Sequence, residues 1–245
     1  MRFMSTLGTS GISKPDLCEF CDEFSGGRRN AFHEQYQGLL TNRILCSTED
    51  FRIFPTIGQL VEGYILIAPV MHYTALDEMP VKLLRELRRL HSLAKEILSR
   101  TYGACVSFEH GARSPVNGGC GIYHAHLHIV PLGSLQVDLK AMESDLRSRF
   151  PYYRVRDLVD LKTIPPRPYL FYEGINGDAF RFAIDRLPSQ HMRKVLASHL
   201  GVENWDWRVA GTEQRLFATL RNLRNHFVNT KESPQLDSKM YAAAS

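Results

Sequence analysis

The chain has 245 residues, 44% hydrophobic and 23% charged, with a net charge of +4 and an isoelectric point near 8.8. That length and balance suit one domain with a sizeable extension, or two small domains. With no apolar run of the ~18 residues that span a membrane, no apolar centre of a secretory signal and only a modest basic excess, the expectation is a soluble, cytoplasmic protein with no membrane partner and no dedicated nucleic-acid surface.

Residues 1–15 read as a flexible lead. Residues 16–40 contain Cys18-Glu-Phe-Cys21 and the turn-like Ser25-Gly26-Gly27. Five cysteines, an odd number in a long chain, argue against a disulfide scaffold and for thiols that are free or bound to metal. Phe51 to Phe54 and Tyr64 to Ala68 read as strands, and Pro69 closes the second. Pro80 opens a helix over about 81–100, where Leu83, Leu84, Leu87, Leu90, Leu93, Ala94, Ile97 and Leu98 recur at helical spacing. Gly103 stops it. Ala104 to Glu109 is a third strand, a loop rich in Gly, Ser and Pro covers 111–121, and Tyr123 to Pro131 is the next strand. A helix near 138–149 follows.

From residue 151 the texture changes. Thr163-Ile-Pro-Pro-Arg-Pro168 reads as a rigid crossing. Strands at Tyr169 to Tyr172 and Phe180 to Ile184 turn through Asn176-Gly177. Ser189 is positioned to cap a helix ending at Gly201, and a last helix spans about 212–227. The division expected is a lead (1–15), a catalytic domain (16–150), an extension packed on it (151–228) and a disordered tail (229–245).

The strongest chemical signal is Tyr123-His124-Ala-His126-Leu-His128-Ile-Val-Pro131. In a strand, alternate side chains share a face at roughly 6.6–6.8 Å, so the three histidines project to one side. Ala125, Leu127 and Ile129 then face a core. Three imidazoles on one face need hydrogen-bond partners, a metal or an anion. The outer two stand roughly 13 Å apart along the backbone, too far to serve one metal together, so a division of labour is expected.

This run resembles the signature of the histidine-triad (HIT-like) family. Gly63-Tyr-Ile-Leu-Ile-Ala-Pro-Val-Met-His72 is similar to the family's Pro-ended strand and basic turn, and the resemblance covers roughly residues 16–135. It implies an α+β fold, an antiparallel half-barrel sheet with helices, here with an α/β C-terminal extension, usually paired as a homodimer. It also implies nucleotide or dinucleotide substrates and a mechanism. His126 attacks the α-phosphate and forms a covalent nucleotidyl-histidine, a backbone carbonyl fixes its tautomer, and His124 and His128 orient it. His110, Asn117, Gly119, Cys120 and Gly121 are the expected substrate contacts, the glycines as part of a phosphate cradle.

Two departures bear on the reaction. Cys120 and Gly121 stand where many members carry Gln and then Ser or Thr, which removes a group that serves the leaving group. His128 stands where the transferase branch has Gln, which favours hydrolysis. Three readings follow: a nucleotide hydrolase or nucleotidyltransferase, a nucleotide-binding sensor or accessory protein without turnover, and a zinc-organised interaction module.

Alone, Cys18-x-x-Cys21 is redox-active, metal-binding or incidental. The resemblance implies a structural zinc held by Cys18, Cys21, His72 and His124, which matches the four N or S ligands zinc takes. Cys46 and Cys105 read as small buried apolar residues. In the extension, Arg186, Ser189 and Gln190 are candidates to reach substrate, with Ser189 read first as a helix cap, while Met192, Val195, Leu196 and Leu200 read as core. Trp205 and Trp207 read as packing the extension onto the rest.

Overall fold

The computed structural model describes residues 18–36, 42–114, 119, 121–133, 135, 137–209 and 213–228. The expected lead, the tail, Asn117 and Cys120 lie outside them. Eight strands form one antiparallel sheet: β1 (Cys46–Ser47), β2 (Phe51–Pro55), β3 (Ile65–Pro69), β4 (Cys105–Gly111), β5 (Leu127–Pro131), β6 (Tyr152–Val155), β7 (Tyr169–Glu173) and β8 (Ala179–Ala183). Their order across the sheet is β1-β2-β3-β5-β4-β7-β8-β6. The expected α+β class holds.

Helices cover both faces. Period-2 alternation sorts the strand side chains into two cores. Ile53, Ile65, Ile67, Leu127, Ile129 and Phe171 face one side, under α3 (Val81–Tyr102) and α6 (Glu213–Val228). In α3 the buried residues Leu84, Leu87, Leu90, Ala94, Ile97 and Leu98 recur at three- and four-residue steps, so one stripe meets the sheet. Full burial of each leucine stabilises the fold by about 1.5–3 kcal/mol. Gly103, at φ 94°, ends the helix. Leu66, Val106, Phe108, Val130, Leu170, Phe180 and Phe182 face the other side. They meet α1 (Glu19–Phe24), α4 (Leu139–Arg149) and α5 (His191–Leu200) through Phe20, Met142, Leu146, Met192 and Leu196. A short helix, α2 (Ala31–Tyr36), adds Phe32 and Tyr36 to the first core.

The sheet crosses the division expected at residue 150. β7 pairs with β4 in the register Phe108↔Tyr172 and His110↔Leu170, so the C-terminal strands extend the N-terminal sheet edge to edge. β6 has no counterpart in the sequence expectation; three of its four residues are exposed, which removes the hydrophobic alternation that marks a strand. Ser189 is not the α5 cap. The cap position is Gln190, in a left-handed conformation at φ 58°, with no side-chain capping bond.

Tyr123 to Pro131 is only partly strand. The ladder begins at Leu127, because the register Ile65↔Ile129 and Ile67↔Leu127 brings Pro69 opposite Ala125. Proline has no N–H to give, so pairing stops there. The N–H of Ala125 donates to the Tyr73 carbonyl at 2.6 Å instead.

Beside β4, a buried charged cluster closes one end of the first core. Asp77 accepts from Arg113 and, at 3.2 Å, from Arg181, while Glu109 accepts from the Leu76 N–H at 3.1 Å. Burial raises the Glu109 carboxyl to a pKa of about 8, with the charge of Asp77 adding to the rise and Tyr169 opposing it by a hydrogen bond.

Candidate functional site

Two neighbouring constellations surround the start of β5. The first is a Cys2His2 cluster of Cys18, Cys21, His72 and His124, whose ligand atoms lie within 4.8 Å of one another. Cys18 sits at the N-terminus of α1, which carries Cys21 one turn on; His72 follows the Pro69 turn. Cys18 Sγ lies 3.4 Å from His124 Nδ1, Cys21 Sγ 3.6 Å from the same nitrogen, and Cys21 Sγ 3.4 Å from His72 Nδ1. A tetrahedral ion bound by N and S at ordinary bond lengths separates such ligand atoms by about 3.6 Å.

The far nitrogen of His124 donates to the Pro69 carbonyl at 2.8 Å, which leaves Nδ1 as the lone-pair nitrogen facing the sulfurs. Burial, and next the charge of Cys18, push the Cys21 thiol up to about 12. Two adjacent thiolates are tolerated when a cation joins them. The cluster is therefore able to bind a metal ion.

The second constellation is a pocket with about 560 Å³ of empty space, its open mouth included. Phe20, Ala31, Phe32, Ile57 and Leu66 make an apolar wall, while His110, His126, His128 and Arg193 bring polar groups. Gly119, Gly121, Gln190 and Trp207 also line it, as do Arg43 and the carboxylates of Glu19 and Glu23. His126 Nδ1 donates to the His124 carbonyl at 2.6 Å, so its proton is fixed on that nitrogen and Nε2 carries the lone pair. Burial lowers the His126 pKa to about 4, and the bond to the carbonyl opposes the fall. The ring is therefore held neutral near pH 7, with its lone pair on Nε2.

His128 lies beside it, with ring centroids 4.5 Å apart. Its Nδ1 is 2.7 Å from the Tyr64 hydroxyl, and its ring stacks on Phe108 at 4.3 Å. His110 Nε2 accepts from the Met192 N–H at the start of α5, 3.3 Å away. Burial holds both His110 and His128 well below the usual imidazole range.

His110, Gly119, Gly121, His126 and His128 thus share the pocket, while His124 turns its ring to the cysteines and offers its carbonyl to His126. Gly119, at φ 82°, spends its N–H on the Leu187 carbonyl at 3.0 Å, so that donor serves the loop's fold. Phe20, Arg43 and Arg193, which line the pocket, and Tyr64, which backs His128, were not legible as site residues. The N-terminal three come from elements far apart in sequence, and Arg193 follows Met192 in a helix that reads as core packing.

Fold and site define an α+β protein with a metal-competent Cys2His2 cluster fused to an imidazole-lined pocket. No protein-family model matches the chain, and no curated protein matches it. Among solved structures it is similar to a HIT-like protein involved in cell-cycle regulation from Bartonella henselae, crystallised with an unknown ligand. That pair shares 17% identity over 44% of this chain and 79% of that one, with a TM-score of 0.32. It is also similar to a member of the HIT family from Bacillus subtilis, at 16% identity over 56% of this chain and 99% of the other, TM-score 0.37. A hypothetical protein from Leishmania major aligns at 17% identity over 54% and 92%, TM-score 0.36. Among the described residues no helix is long and apolar enough to cross a membrane.

Proposed function

We propose that this chain is a histidine-triad nucleotide hydrolase or nucleotidyltransferase that works through a covalent nucleotidyl-histidine at His126. The observation that carries the reading is the 2.6 Å bond from His126 Nδ1 to the His124 carbonyl inside the pocket, which presents Nε2 as the nucleophile. Nε2 gives its lone pair to the α-phosphorus, the N–P bond forms, and the bond to the leaving oxygen or nitrogen breaks with its electron pair. Water, or another acceptor, then displaces His126 and restores the ring. His128, backed by Tyr64, and His110 orient phosphoryl oxygens, and the wall of Phe20, Phe32 and Ile57 suits a nucleoside base.

Cys18, Cys21, His72 and His124 fit a structural zinc, which supplies no group to the reaction and holds the segment that aims His126. Walls from both ends of the chain line the pocket, so one chain lines it; the homodimer implied by the family resemblance is checked by light scattering.

The test is chemical trapping. A nucleotide labelled at the α-phosphate should leave acid-labile label on wild type and none on His126→Ala, with turnover down at least about a thousandfold and mononucleotide binding retained. Turnover retained by that variant overturns the reading. Tight phosphate-dependent binding with no product from wild type points to the sensor alternative.

A further inference from the structure

Among the described residues only two that are not glycine hold a left-handed backbone, Arg113 and Gln190, each at φ 58°. Side chains disfavour that region, and a residue stays there when its surroundings hold it. The two come from distant segments, yet they flank one contact. Arg113 lies three positions after His110, and Gln190 two positions before Met192, whose N–H donates to His110 Nε2 at 3.3 Å.

Each is held from outside its own turn. Gln190 donates to Asp206 at 2.8 Å and accepts from the Trp207 N–H at 3.3 Å. Arg113 donates through Nη2 to Asp77 and through Nη1 to Glu78 at 3.4 Å. Its turn is tight: the Ala112 N–H donates to the His110 carbonyl at 2.8 Å, and the Ser114 N–H to the Ala112 carbonyl at 2.7 Å. The Asp77 side chain is 3% exposed and that of Arg113 23%, so this pair is shielded from water more than a surface salt bridge is.

The other end of the clamp leads to His126. Asp77 and Glu78 belong to a 3-10 turn, Leu76–Glu78, which the Leu76 N–H fastens to Glu109 and the Asp77 N–H to the Tyr169 hydroxyl at 3.3 Å. Just before that turn, the Tyr73 carbonyl accepts the Ala125 N–H, between His124 and His126. The His110 ring stands 6.2 Å from that of His128, and Gly119 brings the loop back against it, where a Cβ would lie 3.1 Å from His110 Cδ2.

We propose that Arg113, which does not itself line the pocket, is a positioning residue: its ion pairs with Asp77 and Glu78 hold the strained turn after His110, and so fix the His110 ring against Met192 and relative to His126. This rests on the role given to His110 above and adds the residue that keeps it in place. The ion pairs offset what the left-handed backbone costs; without them the turn relaxes and carries the ring with it.

Arg113→Gly separates positioning from a merely structural tie. Glycine takes φ 58° freely, which compensates in part for the lost ion pairs, so the melting temperature should fall by no more than a few degrees. With ADP as the probe, kcat should drop about tenfold with KM within about twofold, and the Met192 amide should exchange with solvent about tenfold faster. Arg113→Lys keeps the charge but not the two-pronged contact, and should fall between wild type and glycine in both readouts. Should the glycine variant fail to fold, the lysine variant decides: severalfold lower kcat and faster Met192 exchange at an unchanged melting temperature support the clamp. Wild-type kcat or wild-type Met192 exchange in the folded variants overturns it. Failure of the enzymatic reading looks different: wild type then gives no ADP turnover and no His126 adduct, and Met192 exchange alone decides the role of Arg113.

Discussion

His124 and His126 are coupled through the backbone: the carbonyl of His124 fixes the ring of His126 at 2.6 Å, while the ring of His124 reaches Cys18 and Cys21 at 3.4 and 3.6 Å. An ion in the Cys2His2 cluster would therefore clamp the peptide group that orients the proposed nucleophile. Elemental analysis should find about one zinc per chain in wild type and none after Cys18→Ser with Cys21→Ser. The double variant should melt about 4–8 °C lower, the shift about 2 kcal/mol makes at this length, and should lose turnover as the His124 carbonyl loosens. Metal-free wild type with the same melting temperature as the variant would remove the cluster from the account.

Tyr64 and His128 meet at 2.7 Å in a buried setting. Tyr64→Phe removes the hydroxyl and leaves His128 Nδ1 to reorient. Turnover should fall about tenfold, and stability by about 1–2 kcal/mol, because one buried polar partner is left without the other. A steady-state assay beside a thermal melt reads both; unchanged kcat would show that His128 needs no such support.

Gly121 stands where a Cβ would lie 2.7 Å from Trp207 Nε1. Gly121→Ala should push the indole and reshape the pocket wall, weakening nucleotide binding about tenfold and shifting tryptophan emission. Unaltered affinity and emission would mean that the wall yields without consequence.

Glu109, buried beside Asp77, has its carboxyl raised from an ordinary value of 4.5 to about 8. Between those values the folded protein keeps a proton that the unfolded chain releases, so this group's contribution is present below about pH 4.5 and is lost as pH rises toward 8. Glu109→Gln keeps the shape and the acceptor for the Leu76 N–H. It should flatten the fall in stability over that window and exceed wild type at pH 8 by on the order of 1 kcal/mol or more. Denaturant melts at pH 5 and pH 8 decide it, and an unchanged pH slope refutes it.

Much of the fold was legible because its signals are local. The α3 leucines repeat within a single helix, with Pro80 and Gly103 at its ends, and β7 and β8 turn at Asn176-Gly177. β6 was missed because its exposed Tyr152, Tyr153 and Arg154 carry no alternation. The strand at the triad was drawn four residues too long because its limit is set by Pro69 on another strand, across a register that the segment itself does not encode.

By itself the sequence determined the spacing of three imidazoles, the Cys18-x-x-Cys21 pair and the residue types each needs, since both are properties of neighbouring positions. Only the tertiary structure decided that His124 turns to the cysteines while its carbonyl holds His126, and that Arg193 joins the pocket bonded, among the described residues, to backbone carbonyls. Those outcomes depend on backbone carbonyls and on buried neighbours brought from distant segments, and neither is written in any short stretch of chain.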